Sequence, residues 1–246
     1  MLLQSLDKII FFDIETAPQA QNMEDMSEEM QALWAEKIET LRQRNPQRYA
    51  EDKTAQDLWG ESAIFAEFGR IVCISVGFCF YKNKELHIKT KSYFGPDERT
   101  ILMDFFEMLS RFMQSPNHVL CGHNSKEFDI PYICRRATIL HIPLPETLQV
   151  AGKKPWDIHH LDTMDMWKFG DIKSFTKLKL LTAVFGIPTP KDDIDGSEVG
   201  RVFWQEKDYN RISVYCQKDV VATAQVFLSL MNEPTIPIEN IESADY

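Results

Sequence analysis

Apolar residues along the chain form short continuous runs and longer stretches that repeat every three or four positions. The continuous runs predict strands at Lys8 to Thr16, Arg70 to Tyr81, Glu85 to Tyr93, His118 to Cys121 and Trp156 to Asp162. The helical spacing predicts helices at Met26 to Arg44, Asp97 to Met113, Ile130 to Leu140, Lys177 to Phe185 and Asp208 to Met231, with a weaker one at Tyr49 to Trp59. Because Lys82-Asn83-Lys84 suits a hairpin, the first sheet neighbours should be antiparallel in an α/β fold.

Two regions stand apart from this pattern. Residues 19–68 follow the first strand and predict a helical insertion, with Ser27 as the N-cap of its first helix. This insertion lies beside a site, forms a flexible lid over it, or is an acidic, solvated helical pair that only packs on the core. After Asn232 the chain has two prolines and four acids, which predicts a loosely held tail at 233–246 after a single domain at 1–232.

Composition places the chain among soluble globular proteins, since 44% of its 246 residues are hydrophobic and 26% are charged. No apolar run is long enough for a membrane helix, and the first residues lack the order of a signal peptide, so we expect a cytoplasmic protein without membrane contact. The five cysteines are widely spread and form no C-x-x-C pair. Buried, reduced thiols are therefore expected rather than disulfides or a zinc site.

The net charge of −10 argues at first against nucleic acid, which generally needs a basic surface. Between Ala17 and Gly69, however, there are 11 acids and 5 bases. Without this region and the four acids proposed below as metal ligands, the remainder holds 22 acids and 22 bases. The acidity therefore does not exclude a polyanionic substrate.

Asp13 and Glu15 stand at the end of the first predicted strand. Residues two apart on a strand point to the same face, so the two carboxylates form a pair. Like charges at this distance repel unless a cation lies between them, and Mg²⁺ and Mn²⁺ prefer such oxygen ligands. A solvated strand end before the Ala17-Pro18 turn is the alternative that these residues leave open.

Polar residues that could take part in catalysis or binding also occur at two later places in the chain. His123 and Asn124 follow the fourth strand, with Asp129 in the next helical turn, which predicts the mouth of a site in an α/β sheet. Asn124 contacts substrate or caps a turn, and His123 contacts substrate or is structural. Tyr215 and Asp219 lie four apart on the last helix, so they share a face.

A basic stretch with interspersed aromatic residues runs from Trp167 to Lys179. Its lysines, among them Lys168 and Lys173, are candidates for phosphate contact, and its aromatic rings for base stacking, although a solvated helix face also fits. The histidine pair at 159 and 160 is expected to be structural, because neighbours on a strand face opposite ways.

Together D-x-E, H-N-x-x-x-F-D and Y-x-x-x-D resemble the three motifs of the DEDD 3′-5′ exonuclease superfamily, in the variant whose third motif bears tyrosine. The chain looks most like stand-alone relatives of the proofreading domain of family B DNA polymerases, from about Lys8 to Leu230. The resemblance implies a ribonuclease H-like fold, with a mixed five-stranded sheet and helices on both faces. It also implies metal-dependent hydrolysis of phosphodiesters from the 3′ end, releasing nucleoside monophosphates.

The resemblance further implies a role for each site residue. Asp13 would bridge two ions, Mg²⁺ or Mn²⁺, Glu15 and Asp219 would complete the site of the ion that activates water, and Asp129 would support the second ion. Tyr215 would orient the attacking water, because a phenol with a pKa near 10 is a poor base at neutral pH. The substrate, single-stranded DNA more than RNA, would contact Thr16, His123, Asn124, Phe128, Lys168 and Lys173.

Two alternatives to this activity remain at the level of sequence. An exoribonuclease would carry the same motifs. A non-catalytic nucleic-acid binding module with this fold would usually have lost a ligand acid, and none is lost here. Sequence gives no indication of a replication or repair partner.

Overall fold

A computed structural model describes residues 6–154, 157–171, 173–188 and 193–245. The strands are β1 Ile9–Pro18, β2 Gly69–Lys82, β3 Glu85–Phe94, β4 Val119–Gly122, β5 Leu161–Asp162 and β6 Ile241–Ser243. The helices are α1 Glu28–Arg44, α2 Glu98–Phe112, α3 Asp129–Ile139, α4 Thr163–Lys168, α5 Leu178–Val184, α6 Val199–Arg201 and α7 Tyr209–Leu230.

The strands form one mixed sheet in the order β5-β4-β1-β2-β3-β6. β1 pairs antiparallel with β2 and parallel with β4, so it is central to the sheet. β2 and β3 form the predicted hairpin, whose turn residues Asn83 and Lys84 adopt left-handed φ angles of 53° and 68°. A tight turn of this kind matches the twist of the two strands it joins.

Helices cover both faces of the sheet, and side chains of β1 alternate between them. Ile10, Phe12 and Ile14 face α2 and α3 in the larger core cluster. Ile9 and Phe11 face the other side, where they pack with residues of α7. Asp13 and Glu15 continue this second series, so the fold directs both carboxylates towards α7.

Glycine allows α7 to approach the sheet closely. A Cβ atom at Gly77 in β2 would lie 2.8 Å from Cγ1 of Val220 and 3.0 Å from Cδ1 of Ile88. A larger residue there would force the Val220 side chain or α7 itself to shift, and α7 carries Asp219 next to Val220.

Three sequence predictions about elements are wrong. Residues expected to form a helix at Tyr49 to Trp59 form turns, where the Asp57 carboxylate accepts bonds from the main chain and hydroxyl of Thr54. Such side-chain bonds compete with helix formation. A short 3₁₀ helix then runs over Trp59–Ile64.

The strand expected at Trp156 to Asp162 is confined to Leu161–Asp162, and Trp156 lies outside the described residues. The His160 ring bonds main-chain groups that another strand would otherwise pair with. The Leu120 N–H donates to Nδ1 at 3.2 Å, and Nε2 contacts the Thr147 carbonyl at 2.9 Å. His160 is thus structural, as expected.

The segment after Asn232, expected to be loosely held, instead adds a sixth strand to the expected five. β6 pairs parallel with β3. The side-chain amide of Gln225 also holds Ile236 by two bonds. Oε1 accepts the main-chain N–H of Ile236 at 2.8 Å, and Nε2 donates to the Ile236 carbonyl at 2.7 Å. Sequence missed this because β6 pairs with β3, which is distant in the chain.

The insertion has a small core of its own and a firmly anchored base. Trp34 and Ile38 of α1, which begins after the predicted N-cap Ser27, pack with Trp59 and Phe68. The last part of the insertion also belongs to the main domain, since Ala66 lies in the larger core and Arg136 of α3 donates to its carbonyl at 2.8 Å. None of the helices in the described ranges is long and apolar enough to cross a bilayer.

Candidate active site

Asp13 and Glu15 lie on β1 beyond the point where its pairing with β4 ends at Phe11. A bulge between Glu15 and Thr16 interrupts the pairing with β2 directly after the two acids. Glu15 is 8% exposed and Asp13 is half-buried. The predicted carboxylate pair is therefore fixed on a rigid strand in a largely dehydrated place.

Asp129, the first residue of α3, joins this pair. Its Oδ1 accepts the main-chain N–H of Ile14 at 3.2 Å, so the carboxylate lies against β1 between Asp13 and Glu15. The loop before α3 is held by Asp162 at the end of β5. Asp162 accepts the main-chain N–H groups of Asn124 at 2.9 Å and Lys126 at 3.0 Å.

Tyr215 and Asp219 come from α7 on the same face of the sheet. Tyr215 is half-buried and packs against a cluster that includes Val72 and Phe203. Asp219 is near enough to the three other acids to raise the pKa of each of them. The structure thus brings the four predicted carboxylates together with Tyr215 one helical turn from Asp219.

Electrostatics in this cluster disfavour the charged forms. Burial raises the pKa of Asp13 well above its ordinary value, and the carboxylates of Asp129, Asp219 and Glu15 raise it further. Burial also raises the pKa of Glu15. The pKa of Asp129 rises to about 7, mainly through burial, although main-chain N–H groups oppose the shift. Such a cluster needs a cation or protons to balance it.

Cys216 is a site residue that sequence reasoning missed. Its thiol donates to the main-chain carbonyl of Asp13 at 3.4 Å and to Oδ2 of Asp13 at 3.5 Å. A carboxylate oxygen of Asp13, one of Glu15 and the Cys216 sulfur lie within 4.8 Å of one another. Its position between Tyr215 and Asp219 was the available signal, but spacing alone cannot show which cysteine lies under a carboxylate.

The structure separates the roles of His123 and Asn124. The His123 ring contacts the Thr163 hydroxyl and the Thr176 carbonyl, both at 2.9 Å, so both of its nitrogens are bonded within the protein. Burial lowers the pKa of this histidine. Asn124 has a left-handed φ of 63° and a half-buried side chain that makes no hydrogen bond among the described residues. Asn124 is therefore the better placed of the two for a substrate.

The remaining predicted substrate contacts differ in their surroundings. Phe128 precedes Asp129, and its ring packs on Tyr132 at 5.4 Å, whereas the Thr16 hydroxyl lies beside that of Tyr132. The Lys168 ammonium pairs with Asp165 at 3.1 Å and Glu127 at 3.6 Å. Lys173 is exposed.

A comparison with known protein families covers part of this site. Residues 64–235, well over half of the chain, match a family described as a predicted 3′-5′ exonuclease related to the exonuclease domain of PolB. The chain belongs to this family. The matched range includes Asp129, Tyr215 and Asp219, whereas Asp13 and Glu15 precede it.

Similar proteins are much longer than this family member. It is 25% identical over 144 residues to a DNA polymerase of Archaeoglobus fulgidus and 22% identical over 140 residues to one of Pyrococcus glycovorans. The alignments cover 55% and 49% of this chain but only 18% and 17% of the polymerases.

A solved structure confirms the fold. The family B DNA polymerase of the archaeon Pyrobaculum calidifontis aligns with a TM-score of 0.51 and 17% identity, over 91% of this chain and 24% of the polymerase. The α/β architecture, with a mixed sheet and helices on both sides, is consistent with the expected ribonuclease H-like fold.

Proposed function

We propose that this protein is a metal-dependent 3′-5′ exonuclease that hydrolyses single-stranded nucleic acid, mainly DNA, to nucleoside 5′-monophosphates. The observation that carries the proposal is the convergence of Asp13, Glu15, Asp129 and Asp219 on one buried spot, with Tyr215 beside it. The match to a family of predicted exonucleases supports the same activity.

The donor chemistry of the cluster fits Mg²⁺ or Mn²⁺. Four carboxylates offer the hard oxygen ligands that both ions prefer, and the raised pKa values of three of them indicate a need for positive charge. Asp13, Glu15 and Asp219 would hold one ion, and Asp13 and Asp129 a second. Two such ions supply an activated water and neutralise charge on the phosphoryl oxygens.

The protein's own groups would position the reactants. Tyr215 would accept or donate a hydrogen bond to the attacking water and so align it with the terminal phosphodiester. Asn124 would hold the terminal nucleotide, since its side-chain amide makes no hydrogen bond within the part of the chain that the structure describes and offers both donors and an acceptor. The buried setting of Glu15 and Asp129, at 8% and 5% exposure, would keep bulk water from this spot.

A surface beside the site fits a single strand. Phe169 and Phe175 are 84% and 64% exposed, and Lys173 and Lys177 are exposed between and after them. The main chain at Phe169 also has a φ of 44°, an uncommon angle for a bulky residue. The bond from His123 to the Thr176 carbonyl ties the segment to the loop before Asp129. Exposed rings can stack bases while lysines contact phosphates.

The burial of the carboxylates favours a single-stranded substrate over a duplex. A terminal phosphodiester must reach buried carboxylates, and a paired end would first have to unstack at a cost of a few kcal/mol. Single-stranded 3′ ends should therefore be degraded faster than blunt duplexes. The preference for DNA rests on the similarity to DNA polymerases.

The proposal is tested with matched strands of DNA and RNA and a blunt duplex, each labelled at the 3′ or the 5′ end, in Mg²⁺, Mn²⁺ or chelator. We expect 3′ label to be released as mononucleotide at once, only with metal, and fastest from single-stranded DNA. A duplex degraded as fast as the single strand would overturn the substrate proposal. Faster loss of RNA would instead make the protein an exoribonuclease, and binding without hydrolysis would make it a binding module.

A further inference from the structure

Gln217 lies on α7 between Tyr215 and Asp219 but faces the sheet edge rather than the carboxylates. Its side chain is buried, and its amide is fully engaged. Oε1 accepts the Thr90 hydroxyl at 2.8 Å, while Nε2 donates to the Ser92 hydroxyl at 2.8 Å and to Oδ2 of Asp245 at 2.7 Å. One residue of α7 is thus bonded to β3 and to the C-terminal segment together.

Asp245 completes this arrangement from the other side. The same oxygen that accepts Gln217 also accepts the main-chain N–H of Ser92 at 2.8 Å. The segment is held nearby by β6 and by the bond from the Ala244 N–H to the Thr90 carbonyl at 2.8 Å. Asp245 lies beyond residue 235, where the family match ends.

A row of side chains leads from this point to the carboxylates. The Ser92 hydroxyl contacts that of Ser75 at 2.9 Å, and the Ser75 hydroxyl contacts the Cys73 thiol at 3.6 Å. In the pairing of β1 with β2, Ser75 stands opposite Asp13 and Cys73 opposite Glu15. The network therefore spans the sheet from its edge to the residues beside the two acids.

We propose that Gln217 and Asp245 are positioning residues that fix the rotation of α7 about its axis, so that the C-terminal segment helps to place Asp219 and Tyr215 against β1. Catalytic groups need to be held within about 0.5 Å and 10–20° of their productive geometry. Gln217 is two residues from both Tyr215 and Asp219, so a rotation at Gln217 moves both. This inference rests on the proposed function.

The test uses Asp245→Ala, Asp245→Asn and Glu239→Ala in the full chain. Because one oxygen of Asp245 accepts both bonds, asparagine can keep them, whereas alanine cannot. Glu239 is an exposed acid of the same segment. Its change to alanine removes the same charge as Asp245→Ala, but no bond to α7 among the described residues. Each variant is checked for its Tm and assayed for kcat, KM and the Mg²⁺ concentration of half-maximal activity.

We expect Asp245→Ala to lower kcat about tenfold or more and to raise the half-maximal Mg²⁺ several-fold, with little change in KM for the strand. Asp245→Asn and Glu239→Ala should stay within about twofold of wild type. A change in stability alone, with kcat and the Mg²⁺ response unchanged, would overturn the proposal. If Asp245→Ala does not fold, Thr90→Val is used instead. It removes the bond to Gln217 at 2.8 Å and the weaker bond to the Glu242 carbonyl at 3.3 Å, and we expect the same changes in kcat and in half-maximal Mg²⁺ at a smaller size.

Direct binding of Mn²⁺, followed by electron paramagnetic resonance without substrate, separates this inference from the proposed function. Weaker Mn²⁺ binding by Asp245→Ala than by Asp245→Asn supports the positioning role even if wild type degrades no strand. Equal Mn²⁺ binding by all variants contradicts the role, whether or not the protein is an exonuclease.

Discussion

Tyr215 is the single side chain whose proposed role is most open to measurement, because its ring packs against a core cluster while the proposed role belongs to its hydroxyl alone. We expect Tyr215→Phe to lower kcat by about 10²-fold, the usual contribution of a positioned hydrogen bond to a nucleophile. KM should change little, since the ring and its packing are kept. The comparison is made by single-turnover kinetics on single-stranded DNA, and unchanged turnover would leave Tyr215 only a packing role.

The acids of the site could be predicted from sequence because local spacing pairs most of them and the resemblance of the three motifs to a known family joined the pairs with Asp129. Asp13 and Glu15 share a strand face, and Tyr215 and Asp219 share a helix face, so spacing alone aligns each pair. Cys216 and Asp162 had no such signal. Their roles depend on contacts with Asp13 and with the loop before Asp129, which only the folded chain creates.

Among the elements, the insertion is acidic and is anchored beside β1. Its exposed acids include Glu29, Glu36 and Glu67, which make no side-chain bond among the described residues. We expect changing these three to glutamine to lower KM for a blunt duplex at low salt by several-fold, and to affect a single strand less, because an acidic rim repels the denser charge.

The matched control changes three exposed acids elsewhere, Glu85, Asp104 and Glu146, to their amides. Both triple variants alter the net charge equally, so a difference in KM between them shows that the position of the acids in the fold matters. Equal effects of the two would show that the insertion has no special influence on substrate choice. Excising 19–68 outright is a poorer test, since Ala66 lies in the main core.

Elements with a strong apolar period were predicted within one or two residues, as α2 and the β2–β3 hairpin illustrate. The errors occur where side chains substitute for main-chain partners. His160 takes the bonds of a longer β5, and Gln225 and Asp245 fix the segment that carries β6. Such side-chain bonds to the main chain leave no periodic pattern in a sequence.

The free energy of unfolding of the whole molecule should depend on pH through its buried acids. The pKa values of Asp13 and Glu15 are raised in the folded protein, and that of Asp129 is about 7. In the unfolded chain such groups titrate near pH 4, so between about pH 4 and 7 the folded state holds more protons. The free energy of unfolding of the metal-free protein therefore falls as pH rises through this window.

We expect the Tm in chelator to be higher near about pH 5.5 than near about pH 8, with Mg²⁺ or Mn²⁺ raising it more at the higher pH, because these ions bind deprotonated carboxylates. Asp129→Asn should reduce this pH dependence, while Glu146→Gln, at an exposed site, should not. A metal-free Tm that rises across the window would contradict the raised pKa values.

The most direct test of the central claim follows a 5′-labelled single-stranded DNA with wild type, Asp13→Ala, Asp219→Ala and the exposed-acid control Glu146→Ala. In saturating Mg²⁺, wild type and control should shorten the strand stepwise from its 3′ end and release nucleoside 5′-monophosphates. Asp13→Ala and Asp219→Ala should fold normally yet lose more than about 10³-fold in rate, because each lacks a proposed metal ligand. Near wild-type turnover by either of these two variants would contradict the assignment of the site.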